Sequence, residues 1–533
     1  MRLNPTQIFD GLNDAQKEAV ASVDVPLLIV AGPGTGKTLT IVRRIAWLIH
    51  QGVRPEHILA VTFTNRAARE MRERAEAILG AAGRIFIGTL HLFGLRVMKE
   101  ALSAQFSLVS REEQTEVLKS LLKGSAKKAR QAGERISRIK NRLEEAGGEA
   151  QEIHKAYQSY LSQNHAVDFD DLILTPIELL KSASPAGYSS RFSHIMVDEY
   201  QDINPAQYEL LRLIAQNGAN FCAIGDSDQA VYGFRGADAA AFLSFGRDFR
   251  DAKTITLTQN YRSTGTVLSA SNSLIRYNQR RIVKEVTACR DAGGLISVVS
   301  APDERSEAEF IIREIETRIG GTSHHQMRSA GSARDEAGES CFSDFAVIYR
   351  TNAQARAIEE VFIDSGIPYQ VIGRKTSLQS KERGETVAWL MSLTCPDATA
   401  VAESDPSEAR LLTAADYFDP RANAVTLTTM HTAKGLEFAV VFIAGCEDGM
   451  VPFTLNRDEA DIEEERRLFY VAMTRAKREL LLLHCRSRFL YGQRLAPSPS
   501  PFLKELPERL TRRIVVPDRV LRTKEPDKQM GLF

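Results

Sequence analysis

A glycine-rich loop near the amino terminus is the feature that most constrains what this chain can fold into. The sequence AGPGTGKT directly follows the apolar run Val25–Val30 and precedes an amphipathic segment, Leu39–His50. An apolar strand, such a loop and a helix in succession predict a parallel α/β domain whose loop wraps a phosphate group. We therefore expect phosphate binding by the loop residues Ala31, Gly32, Pro33, Gly34, Thr35, Gly36, Lys37 and Thr38.

Two side chains of this loop carry its expected chemistry. Lys37 is predicted to reach the β- and γ-phosphates of ATP, and the Thr38 hydroxyl is predicted to bind Mg²⁺. A second motif, IMVDEYQD, carries Asp198 and Glu199 at the end of a predicted strand, where open α/β sheets bind ligands. Taken alone, that motif is equally typical of a solvated strand end. Beside the loop, it predicts that Asp198 holds Mg²⁺ and that Glu199 orients or deprotonates the attacking water.

The remaining sequence alternates short apolar runs with longer amphipathic segments, the pattern of parallel α/β domains. The runs fall into two groups of five, which predicts two sheets. In the first group the predicted strands are Val25–Val30, Leu59–Phe63, Ile195–Asp198, Phe221–Gly225 and Thr254–Leu257. In the second group they are Ile296–Ser300, Phe345–Tyr349, Val425–Met430, Val440–Ala444 and Glu479–His484.

The composition excludes several classes of protein but does not by itself indicate a function. The chain has 533 residues with 68 basic and 68 acidic side chains, so any nucleic-acid contact must come from a local track of residues rather than from net charge. No apolar run approaches the roughly 18 residues of a membrane span. The six cysteines lie far apart without a CxxC pair, and the amino terminus lacks an apolar signal region. We expect a cytoplasmic protein with reduced thiols and no membrane partner.

Eight segments, in order along the chain, resemble the motifs of the UvrD/Rep/PcrA-like family of superfamily 1 DNA helicases. They are LNDAQ, ILAVTFTNRAAREM, GTLHLFG, VDEYQD, AIGDSDQAVYGFRGA, LTQNYRS, VTLTTMHTAKGLEF and EEERRLFYVAMTRAK. The resemblance covers nearly the whole chain. It implies two RecA-like P-loop domains, with a helical insertion in the first, that use ATP and Mg²⁺ to move along DNA.

The resemblance implies further roles at the nucleotide. Gln16 is expected to contact adenine and Tyr261 to stack on it, while Glu437 contacts the ribose. Gln229 is expected to sense the γ-phosphate, and Arg262 and Arg475 to bind it. An arginine suits this role because its planar guanidinium stays charged and binds phosphate with two donors. Arg475 also lies on one face of an ordinary amphipathic helix, so its role rests mainly on the resemblance.

For DNA, the resemblance points to a set of mostly aromatic and basic residues. Aromatic rings that stack on bases bind single strands without reading their sequence. Core packing is the alternative for Phe63, which ends an apolar strand, and capping or burial is the alternative for His91. The expected DNA-binding residues are Phe63, His91, Tyr232, Phe234, Arg235, Thr429 and His431.

The expected domains follow the two groups of strands. Residues 1–89 and 168–278 form the first RecA-like domain, residues 90–167 its helical subdomain, and residues 279–393 and 424–495 the second RecA-like domain. Residues 394–423 replace the large helical insertion, the 2B subdomain, that relatives carry. Without the 2B subdomain, we still expect the protein to translocate along DNA, but we do not expect it to unwind duplexes efficiently on its own. Residues 496–533 are expected to be a flexible tail.

We therefore expect an ATP-dependent 3′-to-5′ translocase or helicase that acts on single-stranded and 3′-tailed duplex DNA in repair or replication. One alternative is a translocase that displaces proteins and unwinds weakly, and another is a catalytically inactive scaffold. The tail ends in QMGLF, which resembles the peptide that docks bacterial proteins on the sliding clamp. Its expected contacts are Gln529, Leu532 and Phe533; the alternative is that these apolar residues pack on the protein itself.

Overall fold

Two parallel β-sheets, each covered by helices, form the body of the computed structural model. The structure describes residues 5–80, 84–102, 106–144, 147–182, 191–216, 218–320, 340–372, 418–454 and 461–518. In chain order, the strands of these residues are β1 (Leu27–Ala31), β2 (Ile58–Thr62), β3 (Phe86–Thr89), β4 (Ser107–Leu108), β5 (Ala166–Val167), β6 (His194–Val197), β7 (Asn220–Gly225), β8 (Lys253–Leu257), β9 (Gln259–Asn260), β10 (Thr287–Ala288), β11 (Ile296–Ala301), β12 (Phe345–Tyr349), β13 (Tyr369–Ile372), β14 (Val425–Thr429), β15 (Phe438–Ile443), β16 (Ala476–Cys485), β17 (Arg488–Leu490), β18 (Gln493–Leu495) and β19 (Thr511–Val515).

The α-helices of the described residues lie between these strands. In chain order they are α1 (Pro5–Phe9), α2 (Asp14–Ala21), α3 (Lys37–His50), α4 (Asn65–Leu79), α5 (Leu90–Ala101), α6 (Arg111–Leu122), α7 (Ala126–Arg142), α8 (Glu149–Gln163), α9 (Asp171–Lys181), α10 (Pro205–Ala215), α11 (Ala240–Leu243), α12 (Phe245–Asp248), α13 (Gly265–Ile275), α14 (Glu304–Ile319), α15 (Asn352–Ser365) and α16 (Ile462–Met473). Among the described helices, none combines the length and the apolar character that crossing a bilayer requires.

The first sheet has six strands in the order β3-β2-β6-β7-β1-β8, all paired in parallel. Successive residues of its strands face opposite sides, as the two-residue period of a strand requires. In β1, Leu28 and Val30 join one core cluster, whereas Leu27 and Ile29 join the other. Burial on both faces explains why these strands read as continuous apolar runs.

The second sheet has seven strands in the order β13-β14-β12-β15-β16-β11-β19, again paired in parallel. Its strands also bury both faces: Ala346 and Ile348 of β12 lie in one cluster, and Phe345 and Val347 in the other. Each of the ten predicted strands overlaps an observed strand. The predicted α/β class with two parallel sheets is confirmed.

Two domain boundaries differ from the prediction because apolar side chains pack across them. Helix α5, expected to open the helical subdomain, buries Leu90 and Phe93 in a core cluster of the first sheet. Helix α13, expected in the first domain, buries Val267 and Leu274 in a cluster of the second sheet. The subdomain itself is not purely helical, because β4 and β5 pair within it.

The prediction of a flexible tail from residue 496 is wrong for residues 496–518. Strand β19 pairs in parallel with β11 from Ile296 to Ser300, and Phe502 is buried in the core of the second sheet. These residues therefore extend the second domain. Residues 394–417 of the predicted replacement for 2B, and Gln529, Leu532 and Phe533, lie outside the described residues.

Candidate functional site

The glycine-rich loop connects β1 to α3 and is held in shape from outside. Gly36 has a φ of 84°, and a Cβ at this position would lie 2.6 Å from Gln16 Nε2. That amide donates a hydrogen bond to the Thr35 carbonyl at 3.0 Å. The loop therefore requires glycine here for two reasons, its left-handed backbone and the close approach of Gln16. Helix α3 begins at the next residue, Lys37.

Lys37 faces the acidic pair that directly follows β6. Its Nζ lies 3.8 Å from Glu199 Oε1 and 3.5 Å from the Ala31 carbonyl. Thr38 follows in the first turn of α3 and is half-buried. The structure thus brings together the predicted phosphate-binding lysine, the predicted water-orienting carboxylate and the helix N-terminus.

The two adjacent carboxyl groups differ in their affinity for protons. Burial raises the pKa of Asp198, and the charge of Glu199 raises it further, to about 7. Burial also opposes ionisation of Glu199, but the charges of Lys37 and Lys434 outweigh it and lower the pKa of Glu199 to about 2. Glu199 therefore stays ionised at neutral pH. The pKa of Asp198 stays raised because nearby cations do not outweigh burial and the charge of Glu199.

Backbone strain fixes the position of Glu199. Its φ of 52° lies in the left-handed region, which a residue with a side chain occupies only when its surroundings require it. Gln201 supplies part of that requirement, because its Nε2 donates to Glu199 Oε2 at 2.5 Å and its Oε1 accepts from the Asp226 N–H at 2.9 Å. The carboxylate is thereby aimed at the glycine-rich loop.

The residues fit a nucleotide with a divalent cation. Asp198 is a buried carboxyl beside an ionised neighbour, an arrangement that a metal ion would stabilise. Arg475 is buried and donates to the Val471 and Leu436 carbonyls at 2.9 and 3.1 Å, and among the described residues its guanidinium forms no ion pair. Burial lowers the pKa of Arg475, and the charge of Arg262 lowers it further, to about 9. An anion between these groups would offset their mutual repulsion.

The segment after β8 closes over the loop. Asn260 Nδ2 donates to the Pro33 carbonyl at 2.6 Å, and the Tyr261 N–H donates to the Gly34 carbonyl at 2.9 Å. A Cβ on Gly34 would lie 2.5 Å from the Cβ of Arg262. Asn13 joins the two predicted adenine contacts, Gln16 and Tyr261. Its side-chain oxygen accepts the capping hydrogen bond from the Gln16 N–H, and its Nδ2 donates to the Tyr261 hydroxyl at 2.9 Å.

Arg262 and Glu437 contact each other across the two domains. Arg262 Nε donates to Glu437 Oε2 at 2.6 Å, and Lys477 Nζ lies 2.7 Å from Glu437 Oε1. Burial opposes the charge of Glu437, but these two cations lower its pKa to about 2. The predicted phosphate-binding and ribose-binding side chains are thus paired with each other, and both roles stay predictions.

Gln229, the predicted γ-phosphate sensor, is held by a buried ionic cluster. Its Nε2 donates to Asp226 Oδ2 at 2.8 Å. The other oxygen of Asp226 accepts from the buried Lys284 ammonium at 2.5 Å, and Lys284 also pairs with Asp228. Sequence reasoning missed Asp226, although an acid directly after a predicted strand is the same signal that identified Asp198.

Lys434 is another residue of the site that sequence reasoning missed. Its Nζ lies 3.5 Å from Glu199 Oε2, donates to the Gln229 carbonyl at 2.8 Å and pairs with Asp202. The ammonium also lies 5.3 Å from the centre of the Tyr232 ring. Lys434 lies in the segment HTAKGLEF, three residues after His431. Its closeness in sequence to a predicted DNA-binding residue was the only feature that could have identified it.

The predicted DNA-binding rings form one strip across the two domains. Phe63 and Tyr232 are stacked with centroids 4.7 Å apart, and Phe234 meets His431 edge-on at 5.1 Å. Arg235 lies over both Tyr232 and Phe234, at 5.2 and 5.4 Å. We call these residues, Phe63, Tyr232, Phe234, Arg235 and His431, the aromatic strip.

Members of the aromatic strip differ in exposure. Tyr232 is 8% exposed, whereas Phe234 is 54% exposed, so Phe234 presents much of its ring to solvent, and Tyr232 lies beside it with ring centroids 6.1 Å apart. Thr429 ends β14 beside the strip, and its hydroxyl lies 2.9 Å from that of Thr432. His91 lies 5.0 Å from the Phe169 ring. Burial and the charges of Arg111 and Arg235 lower the pKa of His91 to about 4, so it is neutral at neutral pH.

Comparison with known proteins agrees with this geometry. Residues 12–250 match the family model described as the UvrD/REP helicase N-terminal domain, and residues 255–400 and 407–487 match the UvrD-like helicase C-terminal domain. The ATP-dependent DNA helicase PcrA of Staphylococcus epidermidis is 33% identical over 653 aligned positions, which cover 94% of this chain and 87% of that protein. The protein of the same name from Staphylococcus aureus is 32% identical with the same coverage.

Proposed function

Because the chain belongs to the UvrD/Rep/PcrA-like family of ATP-dependent DNA helicases, we propose that it moves 3′ to 5′ along single-stranded DNA in cytoplasmic repair or replication. The polarity in this proposal rests on the family resemblance, and the coupling of nucleotide to DNA rests on one observation, the position of Lys434 between the two sites. Its ammonium contacts Glu199 beside the phosphate loop, the Gln229 carbonyl and the face of the Tyr232 ring. Binding at either site therefore changes the electrostatic surroundings of the other.

We assign the nucleotide chemistry to residues of both domains. Lys37 and the N-terminus of α3 bind the phosphates, Thr38 and Asp198 hold Mg²⁺, and Glu199 orients the attacking water. Mg²⁺ would supply charge neutralisation at the phosphate oxygens. Arg262 and Arg475 stabilise the charge that develops on the γ-phosphate. Both arginines are far from Lys37 along the chain, which supports a nucleotide site that closes when the two domains approach each other. Closing and opening of this site would convert ATP hydrolysis into movement along DNA.

The aromatic strip is the proposed path of the single strand. Bases stack on Phe234, supported by Tyr232 and Phe63, while Arg235 and Thr429 contact the backbone. Stacking of this kind contributes about 1–3 kcal/mol per base and tolerates any sequence. A neutral chain, with 68 basic and 68 acidic residues, is suited to binding in which stacking carries much of the affinity.

A second candidate, a protein-displacing translocase with weak unwinding, is favoured by the length of the chain. The alignment to the Staphylococcus epidermidis relative spans 653 positions, whereas this chain has 533 residues, so a long stretch of that relative has no counterpart here. The C-terminal family match is also interrupted between residues 400 and 407, inside the segment 394–423. Both observations support the loss of the 2B subdomain. An inactive scaffold is disfavoured, because Lys37, Asp198, Glu199 and Arg475 are all retained.

Two assays on tailed substrates test polarity and separate the two candidates. The protein is given duplexes with a 3′ or a 5′ single-stranded tail, and strand release is measured. In parallel, single strands that carry streptavidin at either the 5′ or the 3′ end are given to the protein, and streptavidin release is measured. We expect strand release from 3′-tailed duplexes only and streptavidin release from 5′ ends only, with streptavidin released faster than the strand. Equal activity on 5′ tails would contradict the polarity, and rapid strand release would remove the second candidate.

The terminal sequence QMGLF supports a second partner. We propose that Gln529, Leu532 and Phe533 dock on the bacterial sliding clamp, so that a tether raises the local concentration of the motor on DNA. Titrating the labelled peptide KEPDKQMGLF against a clamp tests this, with a Leu532→Ala/Phe533→Ala peptide as the control. Saturable binding that the control lacks is expected. Equal binding by both peptides, or none at high micromolar concentration, would contradict it.

A further inference from the structure

Residues 281–288 lie between α13 and β11 in the chain and contact the first domain; we call them the bridging segment. Both α13 and β11 belong to the second domain, since they bury apolar side chains in its core. Within the segment, the Ile282 N–H donates to Ser227 Oγ at 3.0 Å, and the Thr287 N–H donates to the Thr258 carbonyl at 2.8 Å. The bridging segment therefore belongs to the second domain by sequence but is anchored on the first.

One side chain of the bridging segment, Lys284, is buried between two carboxylates of the first domain. Its Nζ donates to Asp226 Oδ1 at 2.5 Å and pairs with Asp228. Burial opposes the charge of Lys284, but the two carboxylates outweigh it and raise the pKa of the ammonium. Burial also opposes the ionisation of Asp226, but the charges of Lys284 and Lys37 lower its pKa. Lys284 and Asp226 therefore keep each other charged.

Asp226 also holds the side chain of Gln229, the proposed γ-phosphate sensor. Asp226 Oδ2 accepts from Gln229 Nε2 at 2.8 Å, while the Asp226 N–H donates to Gln201 Oε1 at 2.9 Å. Gln201 in turn donates to Glu199 Oε2 at 2.5 Å. Asp226 therefore links Lys284 to the side chains that we assign to the γ-phosphate and to the attacking water.

The bridging segment also lies against the phosphate-binding loop. A Cβ on Gly32 would lie 3.5 Å from Lys284 Cε and 2.8 Å from Val286 Cγ2. The loop therefore has no room for a side chain at Gly32. The aliphatic part of Lys284 lies next to the loop that would hold the phosphates, while its ammonium holds the acid that orients Gln229.

We propose that Lys284 is a positioning residue for ATP hydrolysis, which acts through Asp226 to fix the orientation of Gln229. This rests on the proposed role of Gln229 as the γ-phosphate sensor. Without the ammonium, Arg281 would still pair with Asp228, but among the described residues Asp226 would have no ion-pair partner left. A buried carboxylate without a cation takes up a proton or moves, and the Gln229 amide then loses a charged acceptor. Because Lys284 belongs to the bridging segment, the position of this segment controls the orientation of Gln229.

Two variants of the full chain separate positioning from charge balance. Lys284→Met removes the ammonium and keeps an unbranched side chain, but it leaves the buried cluster with an excess negative charge. Lys284→Met/Asp228→Asn, which we call the neutral variant, leaves one acid, Asp226, and one base, Arg281, in the cluster. The neutral variant still lacks the ammonium on Asp226, so it carries the test even if Lys284→Met does not fold.

A double-mutant cycle and a matched control complete the experiment. Gln229→Ala and Lys284→Met/Gln229→Ala show whether the two residues act together; Gln229→Ala is also combined with the neutral variant. The control is Lys140→Met, which removes another lysine buried between two aspartates, in the helical subdomain. For each protein, kcat and the KM for ATP are measured at saturating single-stranded DNA, together with thermal unfolding.

We expect Lys284→Met and the neutral variant to lower kcat about 100-fold. The KM for ATP should change less than about threefold, because the loop and Lys37 still bind the phosphates. The neutral variant should regain thermal stability relative to Lys284→Met without regaining kcat. Adding Gln229→Ala to either should lower kcat little further. Lys140→Met should lose thermal stability and keep its kcat.

Recovery of kcat in the neutral variant would mean that Lys284 only balances charge, and it would overturn the proposal. Losses that multiply when Gln229→Ala is added would also overturn it, because the two residues would then act separately. Wild-type kcat in the Lys284 variants beside a loss in Gln229→Ala refutes this inference alone. Wild-type kcat in Gln229→Ala would instead refute the proposed role of Gln229, and the inference with it.

Discussion

Asp198 and Glu199 are neighbours in sequence, yet their surroundings give them opposite protonation tendencies. Glu199 has two ammonium groups nearby, Lys37 and Lys434, whereas Asp198 has the charge of Glu199 beside it. This difference fits their proposed roles. A water-orienting carboxylate must be ionised before substrate binds, and a metal ligand can acquire its charge when the cation arrives.

The first prediction concerns Glu199 and Lys37. Glu199→Gln keeps the shape of the side chain and removes its charge, and Lys37→Ala removes the ammonium that faces it. We expect both variants to fold and to bind single-stranded DNA, while DNA-stimulated ATP hydrolysis falls by orders of magnitude. Glu73→Gln, an exposed carboxylate on α4, is the control. Turnover near the wild-type rate in either variant would mean that the site is misassigned.

The second prediction separates two rings of the aromatic strip by their burial. Phe234→Ala removes an exposed ring and should weaken single-strand binding by about 1–3 kcal/mol per base contact, without changing thermal stability. Tyr232→Ala removes a buried ring stacked on Phe63 and should destabilise the protein by about 3–5 kcal/mol. Anisotropy and thermal unfolding measure the two effects. Equal destabilisation by both substitutions would show that Phe234 is a packing residue.

At the level of single residues, the sequence identified side chains that lie together at the phosphate loop, but it did not identify their partners. Lys37, Asp198 and Glu199 were identifiable because their motifs have fixed spacing next to a strand or helix. The partners of those residues were not identifiable, because Lys434 reaches Glu199 from more than 200 residues away. Asn260 reaches the phosphate loop across a similar separation. The first contact depends on how the two domains face each other, and the second depends on the pairing of β8 with β1 in the first sheet. No local pattern contains either.

Among the elements, strand β19 was missed for a physical reason. It lies at the edge of the second sheet, and its sequence TRRIV exposes both arginines, so it lacks the apolar run of a central strand. Strands β3 and β13 have four residues each and sit next to a helix or a proline. The long central strands are buried on both faces, and for that reason their composition alone identified them.

The third prediction follows from the position of β19. A chain ending at Leu510 loses the strand together with Ile514 and Val516, which pack on the second core, and it leaves β11 as an open edge. We expect its free energy of unfolding to fall by about 3 kcal/mol and its tendency to aggregate to rise.

The control for this truncation is a chain that ends at Asp518. It keeps β19 and should match the full-length protein in thermal stability and ATP hydrolysis, while losing any binding to the clamp. Thermal unfolding and light scattering of the two truncated proteins provide the comparison. If the chain ending at Leu510 were as stable as the one ending at Asp518, β19 would not be a structural part of the sheet.

The fourth prediction concerns the helical subdomain. Lys140 is buried between Asp168 and Asp171, so Lys140→Met leaves two carboxylates without their cation. Breaking a buried ion pair in this way costs about 3–5 kcal/mol. Amide hydrogen exchange in α6 to α9 should therefore accelerate, while exchange in the second sheet stays unchanged. Lys155→Met, an exposed lysine on α8, is the control. Exchange rates that match those of the control would contradict this account of the subdomain.

For the whole molecule, the decisive feature is that each proposed site contains residues of both domains. Besides Lys434, the N-terminal part of α16 contacts the loop that carries the aromatic strip: the Gly233 N–H donates to Glu464 Oε1 at 2.9 Å, and Arg467 Nε donates to the Ala230 carbonyl at 2.9 Å. Arg262 meets Glu437 at the nucleotide side of the same interface. A change in the distance between the domains must therefore alter the nucleotide site and the aromatic strip together.

We propose that DNA on the aromatic strip controls hydrolysis at the phosphate loop. The steady-state rate of ATP hydrolysis by the full chain, with and without single-stranded DNA at saturating ATP and Mg²⁺, tests this. We expect slow hydrolysis by the protein alone and a many-fold increase that saturates with DNA. The same rate with and without DNA would contradict the coupling, and no hydrolysis in either condition would favour the inactive scaffold.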